Sequence, residues 1–161
     1  MKKLMSLVLV LALCLTAVAA YAAIPSKVVN TITVSINDEQ CSETPTAEAE
    51  AAAKDELAKL INDGPASYFG CDVTDVYEFG PVKVTLPEGA TPDENGDVEA
   101  VFGVDFPFAE NENVVVLLGV LNDDNTITWT RYDGVADGNG HVTAKVNAEI
   151  LANASYCAIA K

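Results

Sequence analysis

The spacing of the apolar residues changes from a period of two to a helical period between residues 28 and 63. Across residues 28–36 apolar and polar side chains alternate, which predicts a half-buried strand whose apolar face holds Val28, Ile32, Val34 and Ile36. Across residues 46–63 apolar side chains recur at helical spacing on one face, as Ala49, Ala53, Leu57, Leu60 and Ile61. This spacing predicts an amphipathic helix that Thr44 or Thr46 caps and that Gly64-Pro65 ends.

After residue 72 the pattern changes to short alternating or β-branched runs separated by turn-rich segments. The runs cover residues 72–79, 82–86, 98–106, 114–121, 126–132, 141–146 and 155–160. Segments 122–125 and 137–140 have the Asn, Asp and Gly composition of tight turns. Run 114–121 is apolar on both faces, which predicts a central strand that is covered on both sides. The whole pattern predicts an α+β fold in which one strand and one helix precede an antiparallel β-sandwich.

The first 22 residues have the three parts of a secretory signal peptide. Two lysines form a positive start, residues 4–18 are apolar apart from one serine and one threonine, and residues 20–22 (Ala-Tyr-Ala) match a cleavage site. Cleavage after Ala22 leaves a single secreted domain, residues 23–161, with the strand and helix in 23–65 and the sandwich in 66–161. The alternative is a retained anchor, because residues 4–24 approach the roughly 20 apolar residues of a membrane-spanning helix.

The charge of the chain limits its partners. The 161 residues contain 24 acidic and 9 basic side chains, a net charge of −15. Removal of the leader leaves seven basic residues and a net charge of −17. This charge excludes a nucleic-acid binder that depends on phosphate contacts, and it argues against a polybasic membrane-surface protein. We expect no membrane insertion after signal cleavage, and we expect a surface protein or a glycan as the partner.

Three cysteines remain after the leader is removed, namely Cys41, Cys71 and Cys157. An odd number cannot pair fully within one chain. Cys41 and Cys71 are the disulfide candidate, because they bracket the predicted helix and export leads to an oxidising compartment. The alternative is three reduced cysteines that act as small apolar residues. No cysteine–histidine spacing typical of a zinc site occurs.

Residue types that serve catalysis are present but not arranged for it. His141, the single histidine, follows a glycine-rich turn, no GxSxG motif accompanies it, and Cys157 lies in a predicted terminal strand. Asp75 and Asp105 lie within predicted strands without an identifiable partner for general acid–base work. The sequence therefore predicts no catalytic residue, no cofactor and no enzyme, with a small extracellular hydrolase that uses loop carboxylates as the alternative.

Residues 93–99 (Asp-Glu-Asn-Gly-Asp-Val-Glu) begin like a calcium-binding loop, with oxygen-bearing side chains at alternate positions. The resemblance then stops, because Val98 stands where such a loop needs glycine and Val104 stands where it needs a bidentate acid. A solvated acidic loop is the main interpretation, and a calcium-stabilised surface protein is a further alternative.

Trp129, the single tryptophan, alternates with Ile127 along a predicted strand. We expect it in the core of the fold. The alternative is an exposed platform, with Tyr132 nearby, on which a carbohydrate ring stacks.

Four segments carry a resemblance to a known class of protein. They are the dilysine leader with its leucine-rich run, the Pro-Val-Lys-Val-Thr-Leu-Pro strand at 81–87, the apolar hairpin at 115–121 with Trp129, and the strand at 154–160. Over residues 72–161 the chain resembles small secreted β-sandwich (immunoglobulin-like) modules of exported proteins from clostridial-type bacteria. The resemblance implies an immunoglobulin-like architecture in a stalk or adhesion unit, and it carries over no catalytic residue. Together with the residue patterns, it predicts a secreted or cell-surface interaction or structural module.

Overall fold

A computed structural model describes residues 29–161, so the predicted signal peptide and Val28 lie outside the described residues. The strands are β1 Thr33–Ile36, β2 Glu39–Gln40, β3 Val76–Pro81, β4 Asp97–Gly103, β5 Asn113–Leu121, β6 Ile127–Ala136, β7 His141–Asn147 and β8 Tyr156–Ala160. The helices are α1 Ala47–Asp63, α2 Pro65–Phe69 and α3 Ala148–Asn153. The protein is α+β with a β-rich core, as the sequence predicts.

All eight strands form one antiparallel sheet in the order β2-β1-β4-β7-β6-β5-β8-β3. The sheet is curled, so that the segments beyond its two edge strands meet. Ser42, which follows β2, forms a β-bridge with Val84, which follows β3. The Glu43 N–H also donates to the carbonyl of Lys83 at 2.9 Å. The result is a half-barrel, and the predicted two-sheet, immunoglobulin-like sandwich is not confirmed.

The concave face of the half-barrel holds the larger of two apolar clusters. Alternate residues of β4 and β7 point into it, with Val98, Ala100 and Phe102 beside Val142, Ala144 and Val146. The buried residues of the N-terminal segment, Ile32, Val34 and Ile36, also lie here, as their alternation predicts. We call this group the inner cluster. Small alanines at facing positions allow the strongly curved strands to approach one another.

The convex face of β3, β8 and β5 is apolar as well, and α1 and α2 cover it. Ala53, Leu57 and Leu60 of α1 pack there with Phe79, Val115 and Leu117, and we call this group the outer cluster. Strand β5 is buried from Val114 to Gly119, so the prediction of a central strand covered on both sides is confirmed. Helix α1 begins at the Thr46 cap, whose Oγ1 accepts the Ala49 N–H at 3.2 Å, and it ends at Gly64 with φ of 80°.

Several local features differ from the sequence-based prediction. Asn37 and Asp38 adopt positive φ values of 52° and 63°, which make the tight turn of an unpredicted β1–β2 hairpin. The predicted strand at 82–86 is not a continuous strand, because within it only Val84 forms a β-bridge, with Ser42. Helices α2 and α3 have five and six residues, too few for a helical period to show in the sequence. No helix within residues 29–161 is both long enough and apolar enough to cross a membrane.

Candidate functional site

An open cavity of about 280 Å³ lies between α1, α2 and the β5–β6 hairpin. Its walls are Glu56 and Lys59 from α1, Tyr68 from α2, and Asn125, Ile127 and Trp129 from the hairpin. We call it the Trp129 groove. It combines aromatic rings with charged and amide groups, which is the composition of many binding pockets.

Trp129 is half-buried and forms the floor of this groove. The ring of Phe69 meets the indole edge-on at a centroid distance of 4.8 Å, and Tyr68 lies 5.8 Å away at a tilt of 54°. Phe79 and Tyr156 complete the cluster at 6.2 and 6.5 Å. Because four rings surround the indole, its orientation is set by the packing of the protein itself.

Gly119 explains why the indole lies against the sheet at this point. It pairs directly with Trp129 across β5 and β6. A Cβ at position 119 would come within 2.8 Å of two ring carbons of Trp129 and within 2.9 Å of the Ile127 side chain. The indole can therefore pack closely against the sheet because residue 119 has no side chain.

The polar side of the groove is a short network on the helices. The Tyr68 hydroxyl donates to Oε2 of Glu56 at 2.8 Å, and the Lys59 ammonium donates to Oε1 of the same carboxylate at 2.5 Å. Burial, together with the negative Glu56 carboxylate, raises the pKa of the Tyr68 hydroxyl well above its ordinary value. The Tyr68 hydroxyl is therefore a fixed neutral donor at physiological pH.

The sequence analysis identified Trp129 but not its companions. Tyr132, proposed as the second ring of a platform, packs against the inner cluster on the opposite face of β6. This pairing is wrong because the two residues are three positions apart on one strand, and strand side chains alternate between faces. Tyr68 is the companion ring, and it lies on the short helix α2, which the sequence pattern did not predict.

The side chains that were considered for catalysis and set aside, His141 and Cys157, lie in different surroundings. His141 is exposed at the start of β7, where Nδ1 lies 3.0 Å from Oδ2 of Asp137 in the preceding turn. Cys157 is fully buried in the inner cluster, and burial raises the pKa of its thiol well above the ordinary value. An exposed imidazole and an enclosed thiol do not form a nucleophile–base pair.

The structure shows no disulfide among the three cysteines of the described residues. Cys41 is buried in the inner cluster, where its Sγ lies 3.4 Å from the carbonyl oxygen of Val34. Cys71 packs against the outer cluster. Because the two clusters lie on opposite faces of the sheet, this placement favours the reduced alternative, and the Cys41–Cys71 disulfide stays a prediction of the sequence.

The acidic loop before β4 is held by the protein itself. Oδ1 of Asp93 accepts the N–H groups of Asn95 and Asp97 at 2.8 and 3.1 Å, and Oδ2 forms an ion pair with Lys145. The Lys145 ammonium, followed by these two N–H groups, lowers the pKa of Asp93 to about 2. Within residues 29–161, no three Asp, Glu, His or Cys side chains are grouped so that they could hold a metal ion.

Glu78 is a buried carboxylate that the sequence analysis did not single out. It is 2% exposed, and its Oε1 accepts the N–H groups of Asp105 and Phe106 at 3.1 and 2.7 Å. The Asn30 amide donates to Oε2. Glu78 thus fixes the segments at Asn30 and 105–106 rather than facing a cleft. A register shift at 76–78 in β3 directs its side chain, and that shift leaves no mark in the sequence.

Comparisons with protein-family models, with curated proteins and with solved structures find no match for this chain.

Proposed function

We propose that this chain is a secreted or cell-surface interaction module without catalytic activity and that it binds its partner through the Trp129 groove. The observation that carries the proposal is the half-buried indole at the floor of an open cavity, beside the Glu56–Lys59–Tyr68 network. Tryptophan and tyrosine contribute strongly to protein and carbohydrate recognition, because their rings bury much apolar area while retaining a polar group.

Both oxygens of the groove carboxylate are occupied, which favours binding over catalysis. Glu56 accepts one hydrogen bond from Lys59 and one from Tyr68. A general acid or base needs a carboxyl group that can exchange a proton with a substrate. In this network the carboxylate orients its two donors instead. The proposal needs no cofactor.

The charge distribution favours a neutral or cationic partner. Residues 29–161 contain six lysine and arginine side chains, and five of them pair with carboxylates, namely Lys59, Lys83, Arg131, Lys145 and Lys161. A phosphate-rich or sulfated partner would have to displace these carboxylates and overcome the net negative charge. We therefore favour a surface protein or an uncharged glycan. The proposal also includes the adhesion role that the resemblance to secreted β-sandwich modules implies.

A pull-down from host and bacterial surface extracts tests the proposal, with residues 23–161 as bait. We expect enrichment of a protein or glycan by the wild-type chain and at least a tenfold loss with Trp129→Leu. Tyr68→Phe keeps the ring and removes the donor, so it should give an intermediate loss. Thr143→Ala, on the convex face of β7 away from the groove, is the matched control. No enrichment, or enrichment that Trp129→Leu leaves unchanged, would overturn the proposal.

A further inference from the structure

Lys161 lies at the opposite end of the sheet from the Trp129 groove, and its side chain crosses two aromatic rings. Its ammonium nitrogen is 5.3 Å from the centroid of the Tyr77 ring and 5.8 Å from that of Phe108. The same nitrogen forms an ion pair with Oε1 of Glu112. Two ring faces and one carboxylate are the groups that proteins use to recognise organic ammonium ions.

The rings hold their places without help from Lys161. Tyr77 lies 4.5 Å from Phe106 and 5.3 Å from Phe108 between centroids, and Phe106 lies 4.7 Å from Phe108. Phe108 is only 5% exposed and belongs to the inner cluster, against which Tyr77 and Phe106 also pack. Loss of the lysine side chain would therefore leave the ring surface in place.

The carboxylate is fixed independently as well. Oε2 of Glu112 accepts the Ala109 N–H at 2.7 Å, which leaves Oε1 directed at the ammonium. The turn is closed by a hydrogen bond from the Glu112 N–H to the Ala109 carbonyl at 3.2 Å, and Asn111 adopts a positive φ of 61° within it. The hydrogen bond from Lys161 to Glu112 raises the pKa of Lys161, and Tyr77 and Asp75 add to this effect. Asp75 also has a buried Oδ1 without a hydrogen-bond partner.

Only the side chain of Lys161 is free to leave this position. Its backbone N–H donates to the Asp75 carbonyl at 2.8 Å, and its carbonyl accepts the Thr74 N–H at 2.8 Å. The side chains of Lys161 and Glu112 are 34% and 27% exposed. Lys161 also borders an open cavity of about 510 Å³, so the side chain can swing into it without disturbing the sheet.

We propose that Tyr77, Phe108 and Glu112 form a binding site for an alkylammonium group, and that Lys161 fills this site and competes with an external ligand for it. The ligand class is a primary ammonium on an unbranched alkyl chain, as a lysine of a partner presents, because that is the group the site already holds. The net negative charge of the chain attracts such cations. The site is distinct from the Trp129 groove and does not depend on the function proposed for it.

Removal of the Lys161 side chain by mutation, followed by addition of a small amine, tests this inference. The chain of residues 23–161 carrying Lys161→Ala is titrated with n-butylammonium chloride while the ring resonances of Tyr77 and Phe108 are followed by NMR. We expect saturable binding at least tenfold tighter than in the wild-type chain, where Lys161 competes. Glu112→Gln in the Lys161→Ala background should weaken it at least tenfold, and n-butanol, the uncharged control, should not bind.

The inference is overturned if Lys161→Ala shows no saturable binding, or if n-butanol or the Glu112→Gln variant gives the same response. If Lys161→Ala does not fold, the wild-type chain provides the test. High n-butylammonium should then move the Lys161 ε-methylene resonance to the value of a free lysine. An unchanged resonance at concentrations that shift the Tyr77 ring would contradict the competition.

Discussion

Glu78 shows how much one side chain can decide in this fold. Its carboxylate accepts N–H groups from two segments that are far from it in the sequence, one at Asn30 and one at the adjacent residues Asp105 and Phe106. Buried donors that lose their acceptor keep the full cost of leaving water. Glu78 therefore ties the chain before β1 and the chain after β4 to the bulge in β3.

We predict that Glu78→Ala lowers the free energy of unfolding by about 2 kcal/mol, since it leaves two part-buried backbone N–H groups without an acceptor, at the lower end of about 1–3 kcal/mol each. Glu78→Gln keeps an accepting oxygen and should cost about 1 kcal/mol. Urea unfolding followed by circular dichroism measures both. Equal effects of the two variants would contradict the role of the oxygens.

Gly119 decides the position of the tryptophan. We predict that Gly119→Ala lowers the free energy of unfolding by about 1–3 kcal/mol, because the new methyl group overlaps the indole. The emission of Trp129, the single tryptophan, should shift as the ring moves. Gly89→Ala is the matched control, since a Cβ there meets nothing within 4 Å. A fluorescence spectrum unchanged by Gly119→Ala would contradict the close packing of the indole against Gly119.

At the scale of elements, the sequence predicts a helix or strand where the hydrophobic period repeats several times. Helix α1 was predicted to within one residue at its start, because five apolar positions and two end signals agree. Helices α2 and α3 could not be predicted, since one or two turns bury too few residues. The Trp129 groove was missed for the same reason, because it needs Tyr68 on α2.

The acidic loop before β4 should respond to pH and to calcium in one way if Asp93 pairs with Lys145, and in another way if the loop binds calcium. The folded pKa of Asp93 is about 2, below the value of about 3.9 expected in the unfolded chain. The contacts of Asp93 therefore stabilise the fold above about pH 4, and this stabilisation is lost as the pH falls towards 2.

We predict that Asp93→Asn reduces the fall in melting temperature between pH 5 and pH 2, because the variant has no carboxylate to protonate. Glu94→Gln, one residue further along the same exposed loop, is the control. At pH 7 the wild-type melting temperature should be the same in millimolar calcium and in chelator, because the Asp93 carboxylate is already paired with the Lys145 ammonium. A rise with calcium would instead establish the calcium-stabilised alternative.

The cysteines are separated by the sheet itself, with Cys41 in the inner cluster and Cys71 at the outer one. We predict three reactive thiols per chain of residues 23–161 when the protein is denatured without reductant and titrated with a thiol reagent. A reduced sample is the control and should give the same number. A count of one, rising to three on reduction, would establish an intramolecular disulfide.

At the scale of the whole molecule, the curvature of the sheet is what sequence patterns do not contain. Alternating strands look the same in a two-sheet sandwich and in a half-barrel, because both bury one face of each strand. The difference lies in pairings between distant segments, such as Ser42 with Val84. That closure makes one concave core and leaves the convex face of β3, β8 and β5 to the helices.

The same architecture distributes the charges and the two proposed binding surfaces. Most acidic side chains occupy loops, turns and the exposed side of α1, while most of the described basic side chains pair with acidic ones. The Trp129 groove and the ammonium site lie at opposite ends of β5. One small chain thereby presents an aromatic surface at one end and an acidic–aromatic surface at the other.

Hydrogen exchange of the chain with and without its captured partner tests the central claim most directly. We predict that the partner protects backbone amides in residues 56–68 and 122–129, which surround the Trp129 groove, and leaves β4 and β7 unchanged. Trp129→Leu should abolish this protection under the same conditions. Protection confined to the convex face of β4 and β7, or protection that persists in Trp129→Leu, would contradict binding through the groove.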